Sequence, residues 1–138
     1  MNIGRRRGRI LAFQAMCAWG MGASVLEDLL QFSWLSEKSE TSPDEQAFLF
    51  PKLLVTGTIE NIETIDNLIS AHLENWVLER VNSVDKAILR ISVYSLLYQK
   101  DIPAAVVIDE AINLAKEFGT DDSYKFVNAV LDSIKKTA

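Results

Sequence analysis

The chain has 138 residues, of which 49% are hydrophobic, and it carries a net charge of −5. This length corresponds to about one domain, whose core can be stable without disulfides or a structural metal. The single cysteine, Cys17, excludes an internal disulfide. No apolar run approaches the roughly eighteen residues of a membrane-spanning helix, so we expect a soluble cytoplasmic protein whose acidic balance disfavours indiscriminate binding of nucleic acids.

The N-terminus is basic, in contrast to the rest of the chain. It holds four of the fourteen basic residues, Arg5, Arg6, Arg7 and Arg9, and the remaining residues include ten basic and nineteen acidic side chains. A guanidinium group can grip two phosphate oxygens at once and stays charged at physiological pH, so the cluster favours a phosphate backbone as its partner. The alternative interpretation is a solvated tail or the basic part of a targeting signal.

Apolar residues behind the arginines recur at three- and four-residue steps, which predicts a helix with one buried face. They are Ile10, Leu11, Phe13, Ala15, Cys17 and Ala18. The arginines would then be presented on a rigid first turn and not on a loose tail. Cys17 lies on the apolar face, where we interpret it as a small core residue.

Capping signals predict the next helix and the loop behind it. Ser24 and Glu27 form a capping box for a helix that runs to Leu35. A polar loop then covers residues 36–42.

A further helix is predicted from Ser42, Pro43 and Glu45, which supply a cap, a first-turn proline and an early carboxylate. Pro51 complicates this helix because its ring clashes with the preceding turn. The helix therefore either stops at Phe50 and restarts, or it kinks there.

Residues 58–78 carry one apolar stripe with charges between its members, which predicts a single long amphipathic helix. The stripe consists of Ile59, Ile62, Ile65, Leu68, Ile69, Leu73 and Trp76. The only histidine, His72, lies on this helix, where it is either an ordinary surface residue or a ligand contact.

Three more helices are predicted in the remaining sequence. The first is capped by Asn82 or Ser83 and is apolar on much of its circumference, as expected of a central helix. The second covers residues 104–118, and the third begins at Asp121 or Asp122.

Together these elements predict an all-α fold, a compact bundle of about seven helices in two helical subdomains. We place the N-terminal half at about residues 1–57 and the C-terminal half at about residues 58–138 of one domain. The sequence contains no Gly-rich phosphate loop, Walker lysine, zinc-ligand spacing or exposed-serine motif. We therefore expect a protein that is not an enzyme, with no catalytic residue, metal or cofactor.

Most of the chain closely resembles the NusB family of transcription antitermination factors. The most specific part is the run Asp122-Ser123-Tyr124-Lys125-Phe126-Val127-Asn128. The other matching segments are residues 5–9, 14–15, 65–66, 72–73, 83–90, 101–103, 108–111, 114–119, 121 and 129–132. Residues 20–50 match only in helical character.

The resemblance implies a NusB-like helical bundle that binds boxA, a short single-stranded RNA element of ribosomal RNA transcripts. It also implies that the protein acts with NusE, a small-subunit ribosomal protein, and is loaded with further Nus factors onto RNA polymerase so that elongation resists termination. The implied RNA contacts are Arg5, Arg6, Arg7, Arg9, His72, Asp122, Ser123, Lys125 and Phe126. The implied NusE-facing position is Asp85.

Several of these positions have structural interpretations beside the functional ones. Phe126 can stack on an unpaired base, but its helical spacing from Val130 also fits a core residue. Asp122 can accept a hydrogen bond from a base, although a helix cap is the safer interpretation. The family pattern is also broken at Ile10 and Cys17, where many members carry a glutamate and a tyrosine.

Two other classes of function stay open. The stronger is a helical protein-binding adaptor or homodimer that uses the face from Asp85 to Tyr94 and makes no direct RNA contact. The weaker is an enzyme, since similar helical domains occur in certain ribosomal RNA cytosine methyltransferases, but their Gly-rich cofactor-binding domain has no counterpart in this sequence. The RNA-binding hypothesis predicts that the arginines and Lys125 with Phe126 lie side by side on one surface.

Overall fold

The helical patterns of the sequence correspond to six α-helices in the computed structural model, which describes residues 4–22, 49–74 and 76–137. One turn of 3-10 helix, Leu78–Arg80, completes the regular structure, and no strand occurs in these ranges. The helices are α1 (Arg5–Gly20), α2 (Leu49–Glu60), α3 (Ile62–Ala71), α4 (Ser83–Tyr98), α5 (Ala104–Phe118) and α6 (Ser123–Thr137). The predicted all-α class is confirmed, and the predicted helix at residues 24–35 lies outside the described residues.

Helix α4 is the centre of the bundle and packs against the other five helices. It is buried on most of its circumference because apolar residues recur on several of its faces. The buried apolar residues are Ala87, Ile88, Leu89, Ile91, Val93 and Leu96. The prediction of a central helix here is confirmed, and a single core cluster joins residues from all six α-helices.

The predicted long helix at residues 58–78 is wrong, since the chain breaks it twice. Helix α2 continues to Glu60, and at Asn61 the side-chain amide donates to the carbonyl of Gly57 at 2.8 Å. Such a local bond competes with helix continuation, so α3 starts separately at Ile62 and ends at Ala71. Trp76, assigned to the buried stripe, is instead 50% exposed beyond the end of α3.

Helix α2 passes through Pro51 without stopping at Phe50. The described part of α2 begins at Leu49, two residues before Pro51. The predicted division between residues 57 and 58 falls inside this helix, and the two-subdomain organisation stays a prediction. None of the described helices is long and apolar enough to cross a membrane.

Candidate nucleic-acid interface

Arg5, Arg6 and Arg7 occupy the first turn of α1 and are exposed. This first turn has no acidic residue and no side-chain cap at Gly4. Cations are unfavourable at a helix N-terminus because the helix dipole is positive there, so three arginines in this turn are not explained by the stability of α1. An anion would be attracted both by the free backbone N–H groups and by the guanidinium groups.

Carboxylates from distant parts of the same chain already face two of these arginines. The Arg6 Nη2 atom lies 3.4 Å from the Glu110 Oε1 atom on α5. The Arg5 Nη2 atom lies 4.0 Å from the Asp101 Oδ2 atom, just before α5. No ion pair among the described residues involves Arg7. In this arginine turn, formed by Arg5, Arg6 and Arg7, two of the three charges are therefore partly compensated, although both side chains stay exposed.

The structure separates Arg9 from the other arginines, because Arg9 is only 8% exposed. Its guanidinium carbon lies 5.5 Å from the centre of the Phe50 ring on α2. Burial lowers the pKa of Arg9, the charge of Glu110 raises it, and the charge of Arg5 lowers it. A side chain held in this way contributes to the packing of α1, and its guanidinium is not displayed on the surface with its neighbours.

The predicted RNA contacts Asp122, Ser123, Lys125 and Phe126, here called the C-terminal block, lie at the start of α6. Their side chains have different environments. Asp122 and Lys125 are exposed, whereas Ser123 is buried and Phe126 is half-buried. The Ser123 hydroxyl accepts the backbone N–H of Thr120 at 2.9 Å, which closes the turn between α5 and α6. The Asp122 carbonyl accepts the N–H of Phe126 at 3.2 Å and so begins the hydrogen-bonding pattern of α6.

Phe126 lies between two surface grooves that bring together residues distant in sequence. One groove, of about 250 Å³, is lined by His72, Leu73, Glu74, Phe126, Ala129, Val130 and Ser133. The other, of about 330 Å³, is lined by Trp76, Arg80, Val81, Asn82, Asp85, Thr120, Asp122, Ser123 and Phe126. The structure thus brings His72, Asp85, Asp122, Ser123 and Phe126 to one region, whereas Lys125 lines neither groove. Trp76 and Arg80 also belong to this region, which the sequence patterns did not indicate.

His72 connects the end of α3 to α6 through both of its ring nitrogens. Nδ1 lies 2.7 Å from the Ser133 hydroxyl oxygen, and Nε2 lies 3.3 Å from the Thr137 hydroxyl oxygen. These contacts orient the half-buried ring at the edge of the smaller groove. His72 is therefore more constrained than an ordinary surface residue.

Asp85 presents an unsatisfied acceptor at the larger groove. Its backbone N–H donates to the Asn82 Oδ1 atom at 2.8 Å, and its Oδ2 atom accepts from Asn82 Nδ2 at 3.1 Å. Asn82 is therefore the residue that caps α4. Asp85 is only 4% exposed, yet its Oδ1 atom has no hydrogen-bond partner among the described residues. A buried carboxylate oxygen without a donor is costly, and because this atom has almost no exposed surface, a partner could reach it only if the wall of the groove moves.

The arginine turn and the grooves beside Phe126 are not adjacent, contrary to the prediction that they lie side by side. At one end of α1, Arg5 faces Asp101 beyond the end of α4, and at the other end Cys17 Sγ lies 3.8 Å from the Ser83 carbonyl oxygen. Twelve helical residues separate Arg5 from Cys17, which corresponds to about 18 Å along α1. A ligand that touches both groups must therefore extend along the molecule.

Within the described ranges, no group of three or more His, Cys, Asp or Glu side chains could hold a metal ion. Cys17 is half-buried beside the start of α4, and burial raises the pKa of its thiol to about 11. A thiol in this environment stays protonated near neutral pH and is a poor nucleophile.

Comparisons with known proteins converge on one family. The NusB family model matches residues 6–136. The chain is 69% identical over 135 residues to the transcription antitermination protein NusB of Treponema denticola, with 98% of each chain covered. It is 54% identical over 137 residues to the transcription antitermination protein NusB of Treponema pallidum strain Nichols, covering 99% of this chain and 96% of the relative.

Solved structures agree with this family match. T. maritima NusB superposes with a TM-score of 0.84 at 41% identity, covering 99% of this chain and 93% of that structure. A crystal structure of antitermination factors NusB and NusE in complex with dsRNA gives a TM-score of 0.83 at 28% identity, with 97% of each chain covered.

Proposed function

This chain belongs to the NusB family of transcription antitermination proteins, and from that premise we propose that it binds the boxA element of ribosomal RNA transcripts together with NusE. It would thereby help RNA polymerase to resist termination, in the cytoplasm and in company with further Nus factors. A protein of this family is a regulatory factor and not an enzyme.

The observation that carries the RNA-binding proposal is the exposed arginine turn at the positive end of α1. Arg5, Arg6 and Arg7 are held on a packed helix where their charges oppose the helix dipole. A phosphate backbone would convert this unfavourable arrangement into a favourable one, because each guanidinium can bind two phosphate oxygens. In a related crystal structure, antitermination factors NusB and NusE are in complex with dsRNA.

The region beside Phe126 supports a second part of the interface. The exposed Lys125 and the half-buried ring of Phe126 combine a positive charge with an aromatic surface, which suits an unpaired base and its phosphate. We assign Asp122, Ser123 and His72 to the same contact region through the two grooves. Arg9, being buried, would position the arginine turn through Phe50 and would not contact phosphate directly.

We assign Asp85 to the contact with NusE. Its unsatisfied Oδ1 atom calls for a hydrogen-bond donor, and the exposed Trp76 provides apolar area in the same groove. Partner proteins commonly bind through a buried polar contact flanked by an aromatic residue.

The proposal is tested by titrating a short boxA RNA with the protein, alone and with NusE, over a range of salt concentrations. If three arginines contact phosphates, the logarithm of affinity should fall with the logarithm of salt with a slope of about −2. The double variant Arg5→Ala/Arg7→Ala should reduce both the affinity and the slope. A matched control, Lys135→Ala/Lys136→Ala, removes two charges from the last turn of α6 and should change binding little.

The alternative function, a protein-binding adaptor or homodimer without RNA contact, is favoured by one observation. Arg5 and Arg6 already have carboxylate partners, whereas the Asp85 oxygen lacks a donor. If RNA affinity is the same in the arginine variant and in its lysine control, while Asp85→Asn abolishes NusE binding or self-association, the adaptor is the better description.

A further inference from the structure

Glu110 is placed to compete with any phosphate that approaches Arg6. Its Oε1 atom lies 3.4 Å from Arg6 Nη2, although the two residues are 104 positions apart in sequence. The Glu110 side chain is 17% exposed and therefore fixed among its neighbours, whereas the Arg6 side chain is 73% exposed and can turn away. The pair thus joins a fixed anion to a movable cation.

We propose that Glu110 is an intramolecular competitor of RNA at the arginine turn, so that it lowers the affinity for RNA and makes binding depend on displacing Arg6. This inference rests on the proposed function, because it concerns the same arginine turn. Glu110 would therefore oppose RNA binding, even though it contacts one of the arginines that bind the RNA.

The charge of Arg9 lowers the free-energy cost of moving Arg6 away from Glu110. The field of Glu110 also acts on the buried Arg9, which stays in place when Arg6 leaves. The positive charge of Arg9 would therefore still attract Glu110 after Arg6 binds a phosphate, which reduces the cost of separating Arg6 from Glu110. Arg6 and Glu110 line a separate small groove between α1 and α5. Its other lining residues are Ile10, Asn113, Leu114 and Glu117, and of these only Glu117 is ionisable.

The test compares Glu110→Gln with Asp109→Asn in the full-length protein, using a short boxA RNA as the probe. Glutamine keeps the acceptor oxygen and the shape of Glu110, so only its charge is lost. Asp109 is the preceding residue on α5, is exposed, and points about 100° away around the helix. Both substitutions change the net charge by the same amount, so their difference isolates the local contact with Arg6.

We expect Glu110→Gln to raise RNA affinity by about two- to fivefold, the range for a partly exposed ion pair, and Asp109→Asn to raise it by less than half as much. The slope of affinity against salt should stay near −2, because Arg6 contacts a phosphate in the complexes of both proteins. In an Arg6→Ala background, the gain from Glu110→Gln should disappear. Thermal unfolding of each variant establishes that the fold is retained.

Equal affinities for the two carboxylate variants, or a gain that persists without Arg6, would overturn the inference. A loss of affinity in Glu110→Gln would also overturn it, since Glu110 would then position Arg6 for RNA. These outcomes differ from failure of the proposed function, in which Arg5→Ala/Arg7→Ala binds RNA no more weakly than its lysine control.

Discussion

Gly57 is the position where local sequence preference and tertiary structure predict opposite effects of one substitution. Glycine in a helix interior is less favourable than alanine by about 1 kcal/mol, so Gly57→Ala in α2 should stabilise the protein on local grounds. In the structure, however, a Cβ atom at Gly57 would overlap the ring of Tyr94 on α4. The absence of a side chain at Gly57 is what allows these two helices to approach each other.

The destabilisation caused by the steric overlap with Tyr94 should exceed the stabilisation from the higher helix propensity of alanine. Added atoms in a well-packed core cost about 1 to 3 kcal/mol, and the upper end applies here because two ring carbons and the hydroxyl oxygen of Tyr94 lie within the space of the new methyl group. After subtraction of about 1 kcal/mol for helix propensity, Gly57→Ala should destabilise the fold by about 2 kcal/mol. For a chain of this size, that corresponds to a decrease in Tm of about 8 °C.

Thermal and urea unfolding followed by circular dichroism would measure this change. The control is Gly20→Ala at the end of α1, where a Cβ atom would meet only the Arg90 guanidinium at 3.6 Å, an ordinary contact. Gly20→Ala should be neutral or slightly stabilising. In a Tyr94→Leu background, Gly57→Ala should cost much less. An increase in Tm for Gly57→Ala in the parent protein would refute the close approach of α2 and α4.

Three further predictions concern single side chains. Arg9→Ala should destabilise the fold by about 2 kcal/mol in urea unfolding because it removes a buried side chain that packs on the Phe50 ring. Exposed Arg7→Ala should stay within about 0.5 kcal/mol of the parent, and equal effects would contradict the burial of Arg9. Cys17, with its pKa raised by burial to about 11 from 9.0, should react with iodoacetamide at pH 8 about 100-fold more slowly than in the urea-unfolded chain, and equal rates would contradict this shift. Asp85→Asn should weaken NusE binding in calorimetry about tenfold or more, as expected for a lost charged hydrogen bond. The matched control is Glu79→Gln, at an exposed carboxylate. Equal NusE affinities of the two variants would show that Asp85 is not in the interface.

Sequence patterns predicted much of the local structure because helix formation depends on neighbouring residues. Apolar spacing predicted the central position of α4 and the buried Leu11, Phe13 and Ala15 of α1, but it missed the buried Ala12 and Met16. Capping residues located the start of α4 to within one residue. The prediction failed at Asn61, where a side-chain bond to Gly57 divides a stripe whose periodicity alone suggested one helix. Periodicity reports which face is apolar, but it does not report a local break in the backbone.

The sequence by itself therefore determined the helical class, the basic first turn and the resemblance to the NusB family. Only the tertiary structure decided that Arg9 is buried while Arg6 is exposed, that Glu110 faces Arg6, and that one oxygen of Asp85 lacks a donor. It also decided that Phe126 lines two grooves, one of which contains Asp85 near the start of α4, whereas Arg5 faces Asp101 beyond the end of α4. These features depend on contacts between residues up to 104 positions apart, which helix packing creates and short-range spacing does not encode.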